Sequence, residues 1–284
     1  LVTIPLLGLM NMRNFIIFHD CGHNSYTPTK DLNYIIGTIF SFIVFTPYNW
    51  NYIHHNHHLT SGNKNNKYNH DFNETVLYTK KEYESLSIIH KYLYRIIRDP
   101  LIFYTIFPIT KFIVMNKLEI IYEIIFIDDN ISKYKKSKKV RLKNIIINLI
   151  GDYIVFYYLN YFNILYHFLC SFLIGVAVGF MLFHCQHTYN PSYVVTNDNW
   201  NKKDSGLKGS SFIQIPKYLQ YFTMGIEYHH IHHMNATIPG YNLKKYHNEN
   251  YKDYQGISKL SMNDCYNNLW LTLYDEETEK YISF

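Results

Sequence analysis

From Asn144 to Asn201 the chain carries no lysine or arginine, and residues 144–185 are almost continuously apolar or aromatic. In hydrocarbon the backbone has no water to bond. Its N–H and C=O groups must then satisfy one another, which for a segment of this kind means helix. Two apolar stretches, 144–159 and 163–184, meet at Asn160–Asn163 and predict a transmembrane hairpin. Tyr153, Tyr157, Tyr158, Tyr161, Phe162 and Tyr166 crowd its tip, as an aromatic belt does. Seven lysines and arginines lie in KYKKSKKVRLK (133–143), and Lys202 and Lys203 follow the second stretch. Both ends of the hairpin are therefore expected on the cytoplasmic or equivalent side, with the tip facing away.

The slightly negative mean hydropathy conceals this segregation. Residues 1–18 are expected to be the second half of a transmembrane helix, with an N-terminal piece missing. No cleavage site follows, so the opening does not read as a signal peptide. Residues 33–46 are too short for a full span and are expected to lie in the interface, as is 99–116, which carries Pro108 and Lys111. Residues 60–98 are polar and charged, hence outside the bilayer, and 117–143 are amphipathic and then basic. The Asn-rich stretch 63–69 follows the composition of the whole chain and is not read as prion-like. The expected architecture is an all-α integral membrane protein. One domain, 1–284, combines transmembrane helices, interfacial helices and a cytosolic-side cap built from 45–98 and 189–284.

The net charge is +5. The basic run lies directly before the longest apolar region, so it reads as a membrane flank, and no nucleic-acid partner is expected. The four cysteines, Cys21, Cys170, Cys185 and Cys265, have no CxxC spacing. Disulfides are not expected, and a reducing compartment fits.

Most of the sixteen histidines fall into a pattern. HDCGH (19–23) places His19 and His23 at i, i+4. HHNHH (54–58) and HHIHH (229–233) both contain H-x-x-H-H: His54, His57, His58 and His229, His232, His233. HCQH (184–187) ends the second helix of the hairpin. On a helix such spacings aim two or three imidazoles at one point, and neutral imidazole is a ligand for iron, zinc, copper or nickel. Two, three and three ligands, with one more from 184–187, exceed one ion. Two ions with four or five ligands each account for the number and leave open positions. For the groups to meet, they must lie on one side of the bilayer. An even number of crossings must then separate them, so 33–46 and 99–116 are not expected to cross.

The bland alternatives are weak surface scavenging of metal by a histidine cluster, and a solvated role for individual rings. His55 and His230 sit off the best arc, as neighbours of the ligands. His184 reads as a hydrogen-bonded neighbour of His187. Asp20, Asn56, Glu227 and Asn235 are candidates to orient imidazole N–H groups. Cys21 and Cys185 read as packing residues, and His70, His90 and His247 as ordinary polar positions. His167 and Asp152 lie inside the hairpin, where ionisable groups are rare and often functional; their roles stay open.

HDCGH, HHNHH followed by LTSGN, and YHHIHHMNATIPGYNL resemble the three histidine boxes of membrane fatty acid desaturases. FTPYNW before the second box, and GSSF with IPKYLQYFT before the third, extend the likeness, which runs from about residue 13 to DEETEKYISF. It is closest to bacterial, cyanobacterial and plastid-type acyl-lipid desaturases. Three residues separate the histidines of the first box, as in the acyl-lipid branch. The resemblance implies that His187 is an additional ligand beside the eight box histidines. It also implies two non-haem iron ions, O₂ as co-substrate and a membrane lipid or acyl-chain substrate. Electrons would come from an external donor, ferredoxin or cytochrome b5; no HPGG motif of a fused cytochrome b5 domain is present. Two alternatives stay open: a hydroxylase or ketolase on the same scaffold, and a non-catalytic membrane metal-binding or transport protein.

Overall fold

The computed structural model describes residues 3–66 and 77–284; His70 lies outside them. The architecture is mostly helical. In chain order the helices are α1 (Thr3–Gly22), α2 (Lys30–Ile43), α3 (Trp50–Thr60), α4 (Lys80–Ser85), α5 (Ile88–Arg98), α6 (Phe107–Thr110) and α7 (Asn116–Phe126). They continue with α8 (Lys138–Tyr161), α9 (Leu165–His187), α10 (Lys202–Lys208), α11 (Gln220–Thr223), α12 (His229–Met234), α13 (Gly240–Glu249) and α14 (Met262–Asn268). Helices start where side chains take up orphan N–H groups. Thr29 caps α2, Asn201 caps α10, and capping boxes open α4 (Thr79, Glu82) and α14 (Ser261, Asp264).

The all-helical expectation needs one correction. Two small sheets occur: β1 (Phe212–Ile213) with β2 (Lys259–Leu260), parallel, and β3 (Leu273–Asp275) with β4 (Lys280–Ile282), antiparallel. Strands of two or three residues are too short to show alternation in sequence.

Among the described residues, α8 and α9 are long and apolar enough to cross a membrane. Ile88–Arg98 and Ile102–Phe126 reach that length and composition only when taken together across a bend. The link between α8 and α9 is a Schellman turn. Asn163 takes a left-handed φ of 56°. The N–H of Ile164 then bonds the carbonyl of Leu159, and that of Asn163 bonds Asn160. Asparagine tolerates this region better than most residues, which is why the chain can reverse there within three residues.

The chain forms two compact units. The first comprises residues 1–55 and 105–179. There α1 passes so close to α9 that a Cβ on Gly175 would stand 2.5 Å from the Gly8 carbonyl oxygen. Small residues at a crossing let helices gain contact where lipid gives no hydrophobic drive. One face of α8 carries Asn144, Asn148 and Asp152 at i, i+4 and i+8. Each finds a partner: Asn144 bonds Asn49 and accepts from Tyr34, Asn148 donates to the Ser41 carbonyl, and Asp152 lies 3.2 Å from the Lys117 ammonium. Lys117 also donates to the carbonyls of Phe45 and Ile113. This accounts for the carboxylate in the hairpin. His167, in contrast, is exposed near the start of α9, beside Tyr166.

The second unit comprises residues 56–104 and 180–284. Its cores gather Cys185, Tyr189, Ile213 and Ile215 in one cluster, and Tyr228, Ile231, Leu243 and Tyr254 in another. The first packs the end of α9, the second packs α12.

Breaking the Lys117–Asp152 pair from one side strands a buried charge. Lys117→Met is expected to cost roughly 3–5 kcal/mol. Lys117→Met with Asp152→Asn should recover part of that loss, as read by thermal unfolding in detergent.

Candidate metal centre

α3 carries His54, His57 and His58, and α12 carries His229, His232 and His233, at the spacing that puts each set on one helix face. In the second unit, His57, His187, His229 and His233 form a single group whose ligand nitrogens all lie within 4.8 Å of one another. All four are buried. His187 Nε2 stands 3.1 Å from His57 Nε2 and 2.9 Å from His229 Nε2. Metal–imidazole bonds of about 2.0–2.1 Å set neighbouring ligand nitrogens roughly 3.0–3.4 Å apart, and these two spacings lie close to that range.

The proton positions agree. His187 Nδ1 lies 3.2 Å from the Gly209 carbonyl, which can only accept. Nδ1 therefore bears the proton, and Nε2 of the neutral ring presents its lone pair to the centre of the group. His233 is 2% exposed, and neither of its ring nitrogens has a hydrogen-bond partner among the described residues. Burial, and then the neighbouring imidazoles of His229, His187, His57 and His232, hold its pKa well below the ordinary range. A neutral ring with unsatisfied nitrogens in a dry site costs free energy unless a cation takes the lone pair. The donor set is all nitrogen, which suits a divalent transition metal.

Of the remaining box histidines, His58 and His232 belong to the second unit and His19, His23 and His54 to the first. His58 Nε2 is 3.1 Å from His232 Nε2, and the His58 ring stacks on His233 at 4.2 Å. In the first unit, His19, His23 and His54 form a trio with ring centroids 4.6–5.2 Å apart. His19 Nδ1 is 3.1 Å from the Asp20 carboxylate, which fixes that ring. Trp50 lies flat on His54 at 4.6 Å. Gly22 admits Asn51 beside this trio, since a Cβ there would fall 2.2 Å from the Asn51 amide.

The other expected neighbours have different surroundings. His184 Nε2 donates to the Asn268 carbonyl at 3.0 Å, as a hydrogen-bonded neighbour would. His230 pairs with His247 at 3.2 Å; burial first, then His247 and Lys259, push it down to about 3. His247, read as an ordinary polar position, is thus the partner of a buried ring. Glu227 accepts from the Thr223 hydroxyl at 2.7 Å, and burial raises its pKa. Asn235 is exposed and accepts from Thr237 in its own turn. His55 is exposed, and Asn56 is half-buried, its carbonyl accepting from Thr60. Sequence reasoning missed the Gly209 and Asn268 carbonyls, because a backbone acceptor carries no residue signature. Trp50 was visible four residues before His54, within FTPYNW, but only as part of a motif.

The fatty acid desaturase family model matches residues 1–265. The chain belongs to the fatty acid desaturase family. It is 30% identical over 290 residues to the fatty acid desaturase of Bacillus subtilis (strain 168), covering 100% of this chain and 76% of the relative. It is 25% identical to the sn-1 oleoyl-lipid 12-desaturase of Picosynechococcus sp., over 95% of this chain and 75% of that one. The chloroplastic omega-6 fatty acid desaturase of Arabidopsis thaliana is also 25% identical, over 95% of this chain and 58% of its own length. The desaturase is thus an oxidoreductase acting on fatty acids.

Loss of a ligand and loss of the residue orienting it should be separable. His233→Ala is expected to lower bound metal per chain measured by mass spectrometry. Asp20→Asn should retain metal but weaken its affinity about 10- to 100-fold.

Proposed function

We propose that this desaturase uses O₂ to introduce a cis double bond into a lipid-linked fatty acyl chain at a histidine-ligated di-iron centre. The observation that carries the reading is the buried group of His57, His187, His229 and His233, with both nitrogens of His233 unpartnered. These four are assigned to one iron. The other five box histidines, His19, His23, His54, His58 and His232, are assigned to the second on their spacing in the sequence. A relative named as an sn-1 oleoyl-lipid 12-desaturase, and the three-residue spacing within HDCGH, support an acyl-lipid substrate. The whole chain is read as one desaturase domain. The lysines and arginines flanking the α8–α9 hairpin support a metal site on the cytosolic or equivalent face.

An unactivated methylene offers no acidic proton, so side-chain acid–base chemistry alone does not attack it. Iron with open positions would supply the oxidising power from O₂ and two electrons of an external donor, ferredoxin or cytochrome b5. The chain's own residues position and protect. Gly209 holds the His187 tautomer, Asp20 orients His19, and Trp50 fixes the plane of His54. Burial of the imidazoles keeps water from the oxidising centre. Selectivity for one bond follows from the depth at which an apolar groove holds the chain, where a shift of about 1 Å costs roughly 100-fold in rate.

Expression in a bacterial host, followed by gas chromatography of its lipids, tests the reaction directly. A new double bond is expected. A new oxygen instead would mean a hydroxylase or ketolase, and bound zinc without any oxygen-dependent product would mean a metal-binding protein. His57→Ala and His232→Ala should abolish the product, whereas His90→Ala should not, because His90 is exposed and bonds only Ser87.

A further inference from the structure

Seven cations lie in 133–143, and two of them are neutralised within the first unit. Lys133 is paired with Glu119; Arg141 is fully buried and bonds Glu123 and Asp129 at 3.3 and 2.6 Å. The other five, Lys135, Lys136, Lys138, Lys139 and Lys143, are exposed and have no acidic partner among the described residues. This is more uncompensated charge than a helix terminus needs.

Two of these lysines cap aromatic rings. Lys136 Nζ lies 5.0 Å from the Tyr52 ring and Lys143 Nζ lies 5.0 Å from the Tyr34 ring. From there the rings run on without a break. Tyr34 and Tyr52 meet Tyr48 at 5.1 and 6.0 Å, Tyr48 meets Phe18 at 6.3 Å, and Phe18 meets Trp50 at 5.9 Å. Trp50 stacks on His54 at 4.6 Å with 13° between the planes, and Phe18 is covalently next to His19. A surface of unpaired lysines is thus joined ring by ring to two of the proposed ligands.

We propose that the lysine row Lys135, Lys136, Lys138, Lys139 and Lys143 is the docking surface of an acidic one-electron carrier protein, and that the ring series ending on His54 conducts its electrons to the metal. The inference rests on the iron centre proposed above. In each encounter the carrier's reduced centre would lose one electron, which an iron held by the proposed ligands would accept. No bond forms or breaks and no proton moves. The rings act as a bridge and stay in their neutral closed-shell state. Two encounters deliver the two electrons of one turnover. Anionic lipid headgroups also attract lysines beside a spanning helix. A headgroup needs only the charge, however, whereas a carrier also needs a route inward, and the packed ring series supplies one.

The test compares the full-length protein with a Lys136→Glu/Lys139→Glu/Lys143→Glu variant, both in nanodiscs of neutral phosphatidylcholine. The probe is a plant-type [2Fe–2S] ferredoxin, an acidic carrier. Titration should show binding that weakens with salt for the parent protein and is about tenfold weaker or worse in the variant. This readout does not involve the iron. In stopped-flow experiments on iron-loaded protein, ferredoxin should reduce the variant more slowly, while dithionite reduces both alike. Trp50→Leu should bind ferredoxin normally yet be reduced slowly by it, with Trp50→Phe restoring the rate. The proposal is overturned if the parent shows no salt-sensitive binding, or if the variant binds ferredoxin equally well. It is also overturned if the variant loses affinity only for phosphatidylglycerol vesicles. A parent protein that takes up no iron would sink the di-iron reading instead, and the titration would still decide the docking surface.

Discussion

The proposed metal chemistry depends on holding several imidazole nitrogens close together and out of water. Protonated rings at that distance repel strongly in a low-dielectric site, and neutral rings with facing lone pairs do so more weakly. The arrangement of His57, His187, His229 and His233 is therefore stable only if the rings stay neutral and a cation collects the lone pairs. Burial enforces the first condition, as the depressed pKa of His233 shows. The all-nitrogen donor set meets the second. The Gly209 carbonyl contributes to both, because a proton held on His187 Nδ1 is a proton kept off Nε2.

Much of this was legible in the residues. The i, i+3, i+4 spacing within each box is a helix-face signal, and α3 and α12 are helices over those positions. The absence of lysine and arginine from 144 to 201, against seven in 133–143, marked α8 and α9. What stayed hidden depends on partners distant in sequence or on the backbone. His184 finds the Asn268 carbonyl eighty-four positions away, and His230 finds His247. Asp152 stood as an open question because its partner, Lys117, lies on another helix. With the structure in hand, it completes a stripe begun by Asn144 and Asn148 whose four-residue period was present in the sequence all along. β1 to β4 left no trace, since two or three residues cannot establish a period.

That stripe links membrane insertion to the ligands of the first unit. A polar side chain on a spanning helix is tolerated when it is satisfied within the protein. Asn144 is satisfied by Asn49, by the Tyr34 hydroxyl and by the Tyr52 hydroxyl, while Asn49 also donates to the Arg141 carbonyl. Asn49 directly precedes α3, and Tyr52 lies within it. The hydrogen bonds that make α8 acceptable in an apolar setting thus also fix where α3 begins, and so the azimuth of His54. A ligand helix anchored by directional bonds holds its imidazoles more narrowly than packing alone does.

The start of α8 consequently faces two demands. Its lysines cannot enter hydrocarbon, so they mark a membrane boundary, while one turn further on Asn144 is already buried against α3. Charge and ligand helix are forced into proximity by the same few residues. A carrier protein docked on these lysines, as proposed, would arrive beside the rings of Tyr34 and Tyr52. On that proposal, the rule that orients the helix also chooses the point at which electrons enter.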